Sequence, residues 1–135
     1  MKRLRTQGLA AALLLFGCGS SLRAVPRGPT SGNIPWIVVD YPPPPAEVEQ
    51  LPPDPGKPCA WQDGHFQWLG RRWQWTDGKW VIPPKGCHYV DPWMSWVPSR
   101  NGQELHYWLP RWLPNVANTI CQQPVTCRSQ HQRAQ

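Results

Sequence analysis

The chain has 135 residues, a mass of 15.5 kDa and a formal net charge of +6, enough for one small domain with extensions and too little for a multi-domain enzyme. With 18 Pro, 11 Gly and only 16% charged residues it fits neither a helical bundle nor a charge-driven disordered tail. Ten Trp stand against three Tyr and two Phe, so indole rings must supply much of any core or binding surface.

Lys2, Arg3 and Arg5 precede an apolar run over residues 8–16, and Gly17 and Cys18 follow. This reads as a basic n-region, a short apolar h-region and a cleavage site, with a run too short to span a bilayer. Gly17-Cys18 resembles the bacterial lipobox, although Phe16 is bulkier than the residue usual there. The resemblance implies a signal peptide over residues 1–17 and a lipidated Cys18, anchored at about 0.8 kcal/mol per buried methylene of its acyl chains. Gly19, where inner-membrane lipoproteins carry Asp, implies the outer membrane. The plainer reading is an ordinary secretory signal in which Cys18 is incidental. Without residues 1–17 the chain keeps 11 basic and 8 acidic groups, a net charge of +3 over 118 residues. Its cations, among them Arg71, Arg72, Lys79 and Lys85, are scattered among acids and form no run for nucleic acid. The expected partners are the membrane, through the lipid, and an envelope polysaccharide or protein.

Residues 18–58 hold eleven prolines, including Pro42, Pro43, Pro44 and Pro45, and read as an extended tether. Within it, residues 35–40 are β-prone and residues 46–50 more weakly so, giving one or two candidate edge strands. From Cys59 to Leu113 the composition changes, and nine of the ten Trp lie there. Trp61-Gln62-Asp63-Gly64-His65-Phe66 recurs fourteen residues later as Trp75-Thr76-Asp77-Gly78-Lys79-Trp80. Asp-Gly tolerates positive φ in tight hairpin turns, so each copy predicts two strands joined at that dipeptide. Phe66 and Trp68 alternate with His65 and Gln67, and Trp73 and Trp75 with Arg72 and Gln74, an aromatic face opposite a polar one. With a bend at Gly70, residues 60–82 are expected to form a four-strand meander ended by Pro83-Pro84. A further hairpin is predicted around Asn101-Gly102, its flanking runs interrupted by Pro92 and Pro110. Residues 114–135 form a polar tail with two cysteines and an end expected to be disordered.

These repeats resemble those of the YXWGXW, or WXXGXW, repeat proteins of bacterial envelopes. Residues 75–80 match the second form fully, residues 61–66 carry Phe66 for the last Trp, and residues 107–112 look like a copy without the Gly. The resemblance spans roughly residues 35–113 and implies a small β domain in an exported protein, with no catalytic residues to carry over. The fold expected is all-β, a small antiparallel meander of Trp-rich hairpins stapled by disulfides.

Cys59, Cys87, Cys121 and Cys127 make an even set, which in an exported domain reads as two bridges. Three connectivities exist. Cys59 with Cys87, bracketing the meander, and Cys121 with Cys127, close in the tail, are the pairings favoured by proximity. A metal site would need a close Cys-x2-Cys knuckle, which is lacking, so neither metal nor cofactor is expected. Histidines 65, 88, 106 and 131 are ungrouped. The sequence neighbours His88, Asp91 and Ser95 would have to meet in a pocket to catalyse anything, and Asp63 and Asp77 are explained by their turns. Phe66, Trp68, Trp73, Trp75 and Trp80 are either core or a stacking platform. Trp93, Trp96, Trp108 and Trp112, in the Pro-interrupted region, are the candidates for exposed ligand-stacking rings. The expected role is a non-enzymatic, lipid-anchored envelope protein with a structural or interaction role. The alternative is an aromatic-surface binding module for peptidoglycan or polysaccharide.

Overall fold

The computed structural model describes residues 21–128. The signal segment, Cys18 and the end of the tail lie outside the described residues. Among those described there are ten strands and no helix, and the all-β expectation holds.

Two long antiparallel hairpins, each broken once, organise the chain. The first runs through β2 (Ala60–Gln62) and β3 (His65–Leu69), reverses at Gly70-Arg71, and returns through β4 (Arg72–Thr76) and β5 (Lys79–Ile82). Ala60 faces Val81 in the outer pair and Leu69 faces Arg72 in the inner pair. The register is therefore the same on both sides of the break, where Asp63 stands opposite Gly78 and Gly64 opposite Asp77. Asp63-Gly64 and Asp77-Gly78 are thus not turns, which corrects the four-strand meander. The only reversal is at Gly70, whose φ of +70° suits the first loop position of a tight hairpin.

Gly64 and Gly78 are glycines for another reason than positive φ. The Glu49 carboxylate reaches into the break and accepts the N–H of Gly64 through Oε2 at 2.9 Å and that of Gly78 through Oε1. A Cβ on Gly64 would lie 2.6 Å from Trp75 Cζ2, and one on Gly78 would lie 2.4 Å from Trp61 Cζ2. Each repeat's first Trp therefore covers the glycine of the other repeat. The copies are related by an approximate twofold, which also matches the edge-on pair Trp61–Trp80 (5.5 Å) with Phe66–Trp75 (4.9 Å).

The second hairpin runs through β6 (Cys87–Val90) and β7 (Trp93–Ser99), turns at Arg100-Asn101, and returns through β8 (Gly102–Trp108) and β9 (Arg111–Pro114). The turn lies one residue earlier than an Asn-Gly loop would place it. The register again persists across the break, with Val90 facing Arg111 and Trp93 facing Trp108. Here the ladder stops at Asp91-Pro92 and Leu109-Pro110, because proline has no N–H to donate.

The Pro-rich arm, expected to be a spacer, is instead laid along both hairpins. Ala24 bridges Trp61 and Arg27 bridges Tyr89, both in parallel, and Val25 is buried. Arg27 forms ion pairs with Asp63 and Asp91, one residue from each break. β1 (Trp36–Val39) pairs antiparallel with β8 as an edge strand. Residues 46–50, the weaker strand candidate, form none and contribute Glu49. Indole N–H groups hold the arm elsewhere, Trp73 donating to Tyr41 O at 2.8 Å and Trp80 to Pro52 O at 3.2 Å. The physical reason is that so many indoles carry a donor needing an acceptor, and extended Pro-rich backbone offers free carbonyls.

The core falls into linked clusters. Val25, Ala60, Val81, Cys87, Tyr89 and Trp112 join the hairpin bases. Val39, Leu105 and Tyr107, with Trp68 and Trp73 against them, join the tips. Tyr107 lies edge-on to Trp73 at 5.0 Å and donates its hydroxyl to Phe66 O at 2.8 Å, tying one hairpin to the other.

The disulfides are Cys59–Cys127 and Cys87–Cys121, not the pairs favoured by proximity in sequence. The tail runs back over both hairpin bases. There β10 (Val125–Thr126) pairs with β5 and Cys127 N–H donates to Trp80 O at 2.8 Å, so each tail cysteine meets a cysteine at the start of a different hairpin, Cys59 just before β2 and Cys87 at the first position of β6.

Two outcomes check this fold. Glu49→Ala strands two partly buried N–H groups and should lower stability by about 1–3 kcal/mol for each in denaturant unfolding. Non-reducing peptide mapping should recover a Cys59–Cys127 peptide, and removing that bridge should cost about 2–5 kcal/mol. Recovery of a Cys59–Cys87 peptide would contradict the topology.

Candidate functional site

Side chains alternate across the sheet ordered β1-β8-β7, and its inner face carries Val39, Leu105 and Tyr107 into the core. The opposite face therefore bears Trp36 and Val38 from β1, His106 and Trp108 from β8, and Trp93 and Ser95 from β7. Trp93 and Trp108 lie face to face, centroids 3.7 Å apart and planes within 4°. Trp36 stacks on His106 at 4.0 Å, and His106 meets Trp108 at 5.7 Å. The result is a row of four rings across three strands, with Trp36 48% and Trp93 40% exposed.

Of the four expected stacking residues, the fold unites Trp93 and Trp108. Trp96 faces the other way, opposite Leu105, and is 55% exposed on the edge strand β7. Trp112 is not the exposed ring expected. It is 8% exposed, packed 5.4 Å from Tyr89 inside the base cluster, because beyond the Pro110 break it returns to pair with β6. Trp36 was not among the expected rings. Its membership follows from β1 pairing with β8, which sequence alternation alone does not reveal.

Two cavities lie between the hairpins. One, of about 320 Å3, is mainly aromatic, with Phe66, Trp73, Trp75, Trp93 and Tyr107 in its wall beside Asp63 and Asp91. Arg27 joins those two carboxylates, and its own pKa is raised chiefly by the hydrogen bond to Asp91. The second, of about 270 Å3, is mainly polar and lies between the hairpin bases and the tail. His65 borders both cavities. Burial holds its pKa below the ordinary 6.5, opposed in part by the nearby Asp63 carbonyl and Asp91 carboxylate. Burial also raises the Tyr107 phenol to about 12 and the Tyr89 phenol further still.

The residues that catalysis would need are engaged separately. His88 is buried, its ring against Asn115 Oδ1 at 2.7 Å and Pro29 O at 3.1 Å. Asp91 is held by Arg27, and Ser95 donates to Trp96 O at 3.5 Å. Asp63 and Asp77 stand on opposite strands of the first break, Asp63 paired with Arg27. Among the described residues no three His, Cys, Asp or Glu side chains are grouped to hold a metal ion. No protein-family model, curated protein or solved structure matches the chain.

His65 gives this region a pH signature. Its folded pKa is depressed, so the stability it contributes is present above about pH 6.5 and is lost as pH falls through its folded value, because the unfolded chain takes up the proton first. Urea unfolding at pH 7.5 and pH 5 should show a smaller acid loss in His65→Gln than in the unsubstituted protein.

Proposed function

We propose that the chain is a non-enzymatic, lipid-anchored protein of the bacterial cell envelope with an interaction role, and that it binds an envelope polymer through the outer face of the β1-β8-β7 sheet. The observation that carries this reading is the row Trp36, His106, Trp108 and Trp93, whose end rings Trp36 and Trp93 are exposed beside Val38 while His106 is buried within it. A domain with so few aliphatic residues would use its Trp for burial first. Exposed Trp36 and Trp93 remain after Trp61, Trp80 and Trp112 have been spent on the core. Stacked pairs occupy one face of each ring, and the end rings keep another for a sugar ring or peptide backbone. The basic and apolar leader ending in Gly17-Cys18 supports export and anchoring at Cys18, with residues 1–17 removed.

Retention on insoluble peptidoglycan and on envelope polysaccharide should fall about 2- to 10-fold in Trp36→Ala and Trp93→Ala, the range set by 0.5–1.5 kcal/mol per aromatic contact. Trp96→Ala should leave it unchanged. Equal retention by the Trp36/Trp93 double variant, with unaltered circular dichroism, would discard the surface. Labelling with radioactive palmitate should be lost in Cys18→Ser.

A further inference from the structure

The polar cavity between the hairpin bases is distinct from the outer aromatic face, and none of that face's four rings lines it. Gln62 Oε1, His65 Nδ1 and the Tyr89 hydroxyl are buried with no partner at full hydrogen-bond geometry, the Gln62 side chain lying near the Tyr89 hydroxyl and the Asp63 carbonyl near the His65 ring, and all three residues line it. Gln62 is 8% exposed and Tyr89 is 3% exposed. Native structures leave few such groups unsatisfied, and three on one cavity wall point to an occupant that completes them. His65 Nε2 is engaged by the Gln67 amide at 3.3 Å, so Nδ1 is the ring nitrogen left for an occupant, as donor or acceptor according to tautomer. Gln62 offers an acceptor and Tyr89 offers either.

The rest of the wall narrows the chemistry. Thr76, Gln67 and Gln123 add neutral groups that both donate and accept, the pattern that matches hydroxyls. Trp112 supplies an apolar surface. Lys79 and Arg111 at the rim form no ion pair among the described residues, and Asp77 offsets one of them, leaving a single positive charge. A volume of about 270 Å3 lies just under the usual range of small-molecule pockets and exceeds the space of a few waters. The wall at Gln123 and Pro124 is fixed at both ends, since Cys121 and Cys127 are bonded to different hairpins.

We propose that this cavity is a binding site for one sugar-sized acid, a hydroxylated ring carrying a single carboxylate, as in a uronic acid residue. The carboxylate lies toward Lys79 and Arg111, and the ring hydroxyls reach Gln62, His65 and Tyr89.

The test uses D-glucuronate as probe, with D-glucose and acetate beside it, on the oxidised mature protein by isothermal titration calorimetry and saturation-transfer NMR. Glucuronate should bind saturably, glucose about tenfold more weakly, and acetate not at all. Tyr89→Phe removes a buried hydroxyl that forms no well-aligned hydrogen bond in the fold. It should leave the unfolding midpoint unchanged or raised while weakening glucuronate about tenfold. Arg111→Gln, an exposed rim change, should erase the preference for glucuronate over glucose, and Trp36→Ala should alter neither. No saturable glucuronate binding would overturn the site, as would binding indifferent to Tyr89→Phe. Equal affinity for glucose would overturn the acid.

Discussion

A single carboxylate holds the first hairpin at its weakest point. Where Asp63-Gly64 passes Asp77-Gly78 the ladder between strands lapses, and Glu49 accepts the N–H group of each glycine. Backbone donors left unpaired in a partly buried place cost more than the bond that satisfies them returns, so this contact governs whether the hairpin can be broken and still persist. It also fixes the arm, because residues on either side of Glu49 are drawn across the hairpin to indole donors at Trp73 and Trp80. The glycines, the indoles packed over them and the carboxylate are one arrangement. Altering any member disturbs the others.

The second hairpin reaches the same shape by a different device. Two prolines interrupt it where two glycines and a borrowed carboxylate interrupt the first. In both, the break lets the base and the tip face different neighbours, so the bases share one core and the tips another. Arg27 ties an aspartate next to each break to its counterpart, which sets how the two hairpins lie together and leaves cavities between them. The outer aromatic row depends on the tip sheet, and the polar cavity on the bases. The two candidate surfaces therefore rest on separate parts of the molecule.

Much of this was legible in local pattern. Alternation at residues 65–69 and 72–76 gives the right faces, Gly70 gives the right reversal, and Pro92 and Pro110 give the right interruptions. Asp-Gly is ambiguous because the dipeptide looks the same whether the chain reverses or passes through. What decides is Glu49, fifteen and twenty-nine residues away, whose role no local rule contains. The disulfides fail for a related reason, since proximity along the chain says nothing of a tail that returns over both bases. Trp112 reads as exposed from its proline neighbour and is buried by pairing with Tyr89. The polar cavity is invisible in sequence because its walls come from both hairpins and the tail.

The cross-links also carry an order in time. If the chain is exported as proposed, it emerges from its N-terminus, and Cys59 and Cys87 are the only two of the folded part's thiols present together until Cys121 follows. Oxidation at that moment would join two residues that the finished molecule keeps in separate bridges, the smaller loop nested within the larger. The correct pairing must therefore wait for Cys121 and Cys127 or be reached by exchange from an earlier bond. An exported protein of this design would depend on thiol-disulfide exchange, or on hairpins that form quickly enough to hold Cys59 and Cys87 apart.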